Sequence, residues 1–142
     1  MQFQFHHSKT LLGFLIRLCS LGHFNHASIR LGNYVYEATS KGGVIKTLYT
    51  KWNSETVADI IEVPLSNEEY QRAYIWLNKQ VGKGYDYLGV VSFLFALLPP
   101  RKGYWFCSEL AIVAYAKAKG LTNPDNQKIS PSLLWYILKM VL

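Results

Sequence analysis

The sequence predicts an α+β domain, a small antiparallel sheet with helices packed on it. Three observations predict this. Two alternating runs, Phe24 to Leu31 and Tyr34 to Thr39, are separated by Gly32-Asn33, a tight-hairpin signal. Ser66-Asn67-Glu68-Glu69 is a capping box in front of an amphipathic stretch. Ser130-Pro131 sets an N-cap before a proline at the first helical position. The 142 residues fit one domain, spanning 1–142 and large enough to bury about two-thirds of its unfolded surface. No repeat, linker or low-complexity segment interrupts it.

In chain order, Gln2-Phe3-Gln4-Phe5 alternates and predicts a short strand. Ser8 is placed to cap a helix through about Cys19, with Leu11, Leu12, Leu15, Ile16 and Cys19 on one face and Gly22 ending it. A two-residue hairpin loop sets Leu31 opposite Tyr34, Ile29 opposite Tyr36 and Ala27 opposite Ala38, an apolar face. The other face carries His26, Ser28, Arg30, Val35, Glu37 and Thr39. There Ser28 lies opposite Glu37 and His26 is its diagonal neighbour, about 7–8 Å away between backbones.

Lys41-Gly42-Gly43 reads as a turn and Val44 to Tyr49 as a strand interrupted by Lys46. Trp52 to Thr56 reads as loop, and Ala58 to Leu65 as a strand with Pro64 near its end. The Ser66 helix carries Tyr70, Ala73, Leu77 and Val81 on one face and stops at Gly82. Gly84 to Tyr87 leads into the apolar run Leu88 to Leu98, read as an enclosed helix halted by Pro99-Pro100. A loop, Pro99 to Gly103, precedes Tyr104-Trp105-Phe106-Cys107-Ser108-Glu109-Leu110. Helical spacing follows in Leu110, Ala111, Ala114, Tyr115 and Ala118, up to Gly120. Asn123 to Asn126 reads as a turn before the last helix.

Cys107 thus falls where a loop enters a helix. First-turn N–H groups lack intrahelical partners and carry partial positive charge, which favours the nucleophilic thiolate. The plain alternative is a small buried hydrophobe. His26 and Glu37 on one hairpin face supply an imidazole with an orienting carboxylate, the other parts of a Cys–His–acid site. His6, His7 and His23 show no metal-ligand spacing, so neither a metal nor a cofactor is expected. Ser28 and Ser108 lack a nucleophile-elbow context. Glu109 points about a hundred degrees around the helix from Cys107 and reads as a capping or pairing residue.

The formal charge of +6 suits acidic partners, but no Lys/Arg run exceeds two residues, so nucleic acid is not expected. The two cysteines, Cys19 and Cys107, suggest a reduced compartment, with a bridge between them left open. Arg17 interrupts Leu11 to Ile16, and no small-residue cleavage pattern follows. Leu88 to Leu98 and Leu133 to Leu142 fall short of the roughly 20 residues of a membrane span. The expectation is cytoplasmic synthesis with no signal peptide and no transmembrane helix, the final site of action left open.

On these residues the chain resembles the circularly permuted branch of the papain-like cysteine hydrolases. These are the YiiX-like relatives of the NlpC-type cell-wall amidases and peptidases, small phage and bacterial members included. Phe24-Asn25-His26-Ala27-Ser28-Ile29, then Val35-Tyr36-Glu37-Ala38 with Gly43-Val44, then Trp105-Phe106-Cys107-Ser108-Glu109-Leu110 carry the likeness. The order His, acid, Cys is that of the permuted branch. The resemblance implies a barrel-like, permuted papain-like fold. Cys107 becomes the nucleophile, His26 the general base and acid, and Glu37 its orienting partner. It also implies acyl transfer to sulfur and hydrolysis of the thioester. The Cys107 N–H serves as an oxyanion donor, with Tyr104 or Tyr85 as candidates for the second. The implied substrate is a peptide or cell-wall peptide amide. Two alternatives stand beside it: lipid-directed acyl transfer or thioester hydrolysis by the same triad, with Leu88 to Leu98 lining an apolar groove, and a non-catalytic binding or phage-assembly protein. Peripheral membrane or envelope contact fits the basic surface; oligomeric state is left open.

Overall fold

The computed structural model describes residues 1–20, 22–88, 103–122 and 129–142. The helix expected from Leu88 to Leu98 lies, past Leu88, outside the described residues, as does the turn at Asn123 to Asn126, and the expected core placement of Cys19 concerns a side chain that is not described. Five antiparallel strands form the main sheet: β1 (Gln2–His6), β2 (His26–Leu31), β3 (Tyr34–Thr39), β4 (Gly43–Leu48) and β5 (Val57–Glu62), in spatial order β4-β3-β2-β1-β5. The helices are α1 (Leu11–Ser20), α2 (Asn67–Gln80), α3 (Cys107–Ala118) and α4 (Pro131–Val141). Among the described residues no helix is long and apolar enough to cross a membrane.

The hairpin has the expected register: Leu31 pairs with Tyr34, Arg30 with Val35 and Ile29 with Tyr36. Gly32 supplies the left-handed turn at φ 60°. Alternation in β1 buries Phe3 and Phe5 on one face and Gln4 and His6 on the other. The first face, with Ala27, Ile29, Leu31, Tyr36 and Ala38, packs against Leu110, Ala111 and Ala114 of α3 in one core. α3 is buried on nearly every side, which makes it the central helix, flanked by α2. Small Ala side chains let it lie close to the sheet.

Several boundaries differ from expectation, each for a local reason. Thr10, not Ser8, caps α1: its Oγ1 accepts from the Gly13 N–H at 3.1 Å. Ser8 is instead tied to buried Asn25, its N–H donating to Oδ1 at 2.9 Å. Along α1, Ile16 is buried but Leu15 is 39% exposed. β5 stops at Glu62 rather than Leu65, because Pro64 has no N–H to extend a ladder. The capping box at Ser66 is formed in full. α2 ends at Gln80, so Val81 leaves the helix and is exposed while Gln80 is buried. A two-stranded parallel pair, β6 (Gly84–Tyr85) with β7 (Tyr104–Trp105), has no counterpart in the sequence reading.

Gly43 starts β4 with φ 64°, and a Cβ there would sit 2.1 Å from the Lys83 carbonyl oxygen. That carbonyl accepts the Val44 N–H, and Gly82 N–H donates back to the Val44 carbonyl, both at 2.8 Å. Gly43→Ala therefore adds left-handed strain to a clash with backbone that is itself hydrogen-bonded. The expected cost is roughly 2–4 kcal/mol, read as a lowered urea midpoint with unchanged slope.

Candidate active site

The first residue of α3 is Cys107, a free thiol with about 1% of its surface exposed. Phe106, extended at φ −89° and ψ 152°, brings the chain in. Its carbonyl accepts from Leu110 N–H, so the N–H groups of Cys107, Ser108 and Glu109 lie outside the intrahelical ladder. Ser108 is committed to structure: its hydroxyl donates to the Ile129 carbonyl at 2.5 Å. This ties the start of α3 to the segment leading into α4.

His26 opens β2 and Glu37 lies in β3 of the same hairpin. His26 Nε2 is 2.8 Å from Glu37 Oε2, and Cys107 is close enough to the His26 ring to act on its charge. With Nε2 given to the carboxylate, Nδ1 is the nitrogen left to face the sulfur. Burial pushes His26 down, but the charge of Cys107 and then the hydrogen bond and charge of Glu37 outweigh it and raise the pKa to about 10. Burial also works against the Glu37 carboxylate. The His26 hydrogen bond and charge and the Trp52 hydrogen bond prevail and hold it below its ordinary range. All three residues singled out in the sequence therefore meet, in the order acid, imidazole, sulfur.

The polar face of the hairpin is partly covered. Ser28 and Val35 are fully buried. Trp52 covers this side, its Nε1–H donating to Glu37 Oε1 at 2.9 Å and its ring meeting the His6 ring edge-on at 5.4 Å. Tyr49 stacks beside Trp52, and the Arg30 guanidinium lies 3.6 Å over the Tyr49 ring. His6 pairs directly across from His26, with the rings 5.0 Å apart.

Sequence reasoning missed both His6 and Trp52. Alternation in β1 put His6 opposite to Phe5, but nothing local tells that β1 pairs with β2. Trp52 lies in an irregular loop whose sequence carries no positional signal. Of the other histidines, His7 is hydrogen-bonded to Arg17 and His23 is exposed, both away from the triad.

A pocket of about 130 Å3 lies at His26, lined among others by Thr10, Gly13, Asn25, Thr39 and Tyr85. Tyr85 is buried, and its phenol is pushed above its ordinary range by burial and then by the charge of Cys107. It remains a neutral O–H donor beside both the pocket and the sulfur. The Tyr104 ring packs over Gly84 instead, where an added Cβ would lie 2.5 Å from its Cε1.

Compared with known proteins, the chain matches no family model and no curated protein.

Proposed function

We propose that the chain is a cysteine hydrolase of the permuted papain-like kind, cleaving an amide bond through Cys107, His26 and Glu37. The observation that supports it is the His26 ring held between the Glu37 carboxylate and a sulfur at a helix start. In this reading the Cys107 thiolate attacks the carbonyl carbon and the oxyanion forms toward the Cys107 N–H and the Tyr85 hydroxyl. Imidazolium at His26 gives its proton to the leaving amine, which breaks the C–N bond and leaves a thioester. Neutral His26 then takes a proton from water, and hydroxide attack releases the acid and restores the pair. Glu37 keeps the imidazole oriented and steadies its charge. The carbonyl approaches along the pocket wall formed by His26 and Tyr85.

The test is the pH dependence of Cys107 alkylation by iodoacetamide. A thiolate paired with imidazolium reacts well below pH 7, whereas an ordinary thiol, of reference pKa about 8.5, does not. An alkylation curve rising only near pH 8.5 overturns the proposal.

A second reading, the same triad acting on a lipid acyl ester or thioester, is supported by one observation. α1, whose Gly13 and Ile16 line the pocket, leaves Phe14 55% and Leu15 39% exposed beside it. Labelling Cys107 with a peptide chloromethyl ketone and with a long-chain acyl chloromethyl ketone separates the two. Preferential peptide labelling favours the amidase.

A further inference from the structure

We infer that His6 is a positioning residue, a neutral imidazole locked by its own hydrogen bonds and wedged between His26 and the Trp52 that holds Glu37. The inference rests on the reading of Cys107, His26 and Glu37 as a working triad, and deepens it.

His6 is buried to 2% exposure, and every polar atom of its ring is used. Nε2 is 2.9 Å from Ser28 Oγ, and Nδ1 is 3.0 Å from Thr56 Oγ1. The proton directions follow from simple inventory. The Ser28 hydroxyl has one proton and donates it to Gln4 Oε1 at 3.1 Å. Ser28 Oγ can therefore only accept from His6, which makes Nε2 the protonated nitrogen. The bare Nδ1 of a neutral ring then accepts the Thr56 hydroxyl proton. In the neutral ring the chain runs in one direction, Thr56 to His6 to Ser28 to Gln4, with every member satisfied. Burial and then the charge on His26 both push His6 down, to about 3, with Glu37 opposing weakly.

Two consequences bear on the triad. Neither nitrogen of His6 is free to compete with His26 for Glu37, although the two rings lie 5.0 Å apart. A neutral His6 also avoids placing a second positive charge beside the imidazolium. The groups that face His6 are His26, Glu37, Trp52, Thr56, Ser28 and Gln4, while Cys107 and Tyr85 lie beyond His26. The ring contacts of His6 with both His26 and Trp52 make it the shared support of the imidazole and the carboxylate.

Long-range proton–nitrogen NMR on the wild-type protein reads the tautomer directly. The expected result is an Nε2–H ring for His6 that stays neutral down to pH 4. An Nδ1–H ring, or titration near 6.5, overturns the inference. Two variants read the consequence. His6→Ala is expected to lower the Cys107 alkylation rate at pH 6 about tenfold and to move the alkaline fall in hydrolysis to lower pH. Thr56→Val removes only the proton donor to Nδ1 from an exposed loop position, and is expected to shift both readouts in the same direction by less. Variants that lose thermal stability while both pH profiles overlay the wild type reduce His6 to a packing residue and overturn the inference. The triad reading fails separately, if wild-type alkylation itself has no component below pH 7.

Discussion

Cys107→Ala is expected to lower turnover of a cleaved amide by roughly 10⁴-fold or more while leaving the fold intact. Losing the nucleophile of a triad removes the covalent route and leaves only binding and oxyanion stabilisation. Cys107 sits in the core with about 1% of its surface exposed, and alanine fits that space without a clash. A change of one sulfur costs on the order of 1 kcal/mol of stability, so circular dichroism and melting should stay near wild type. A second signature accompanies the loss. After burial, the sulfur is the first contributor to the His26 shift, ahead of Glu37. His26 in Cys107→Ala should therefore titrate at lower pH than in the wild type, visible in its ring proton resonances. A variant that keeps full biological effect ends the enzyme reading and leaves a binding protein.

The parts of this site that could be read from the sequence are those set by local rules. Gly32-Asn33 fixes the hairpin register, and the register alone puts His26 and Glu37 on one face. The loop-to-helix change of pattern puts Cys107 at the start of α3. Capping at Ser66 and Ser130 rests on equally local chemistry. What was not legible depends on pairing across distance. β1 lies beside β2 because β5 returns to its other edge, and no residue in β1 records that order. His6, just past the alternating run Gln2 to Phe5, and Gln4 form a buried polar layer behind the triad that the alternation alone does not reveal. The same applies to Ser28, on the non-core face of the hairpin, which is buried, with hydrogen bonds to Gln4 and His6 of β1. The β6–β7 pair is two residues long and joins segments nineteen positions apart, Tyr85 to Tyr104, too little pattern to detect. The cap at Thr10 is a different kind of miss. Ser8 and Thr10 are both good caps, and the buried amide of Asn25 decides between them.

The other large effect is in pH. His26→Ala should cost turnover on the order of 10⁴-fold, and the wild-type profile should show why. Proton delivery to the leaving amine needs imidazolium. The folded-state pKa of His26 is raised from 6.5 to about 10. Activity should therefore hold through neutral pH and fall only as pH rises through about 10, where an unpaired histidine would already have lost it near 6.5. Glu37→Gln removes the carboxylate charge, one of the raising contributions, so the alkaline fall should move to lower pH and the rate should drop. Trp52→Phe acts one step further out. It removes a hydrogen bond that lowers the Glu37 carboxyl, so Glu37 protonates at a higher pH and the acid side of the profile moves up. Stability follows the same signs. The His26 contribution is fully present below 6.5 and is lost as pH rises through about 10. Glu37, held below its ordinary range, contributes above its unfolded pKa and loses that contribution as pH falls through the lower folded value. Buried His6, pushed down from 6.5 to about 3, has the opposite sign to His26: its contribution is present above 6.5 and is lost as pH falls toward 3. Melting temperature should thus be highest near pH 6.5, and Glu37→Gln should weaken the alkaline limb set by His26. An alkaline fall near 6.5 in the wild type, or one that Glu37→Gln leaves in place, means that the imidazole is not held between acid and sulfur in solution.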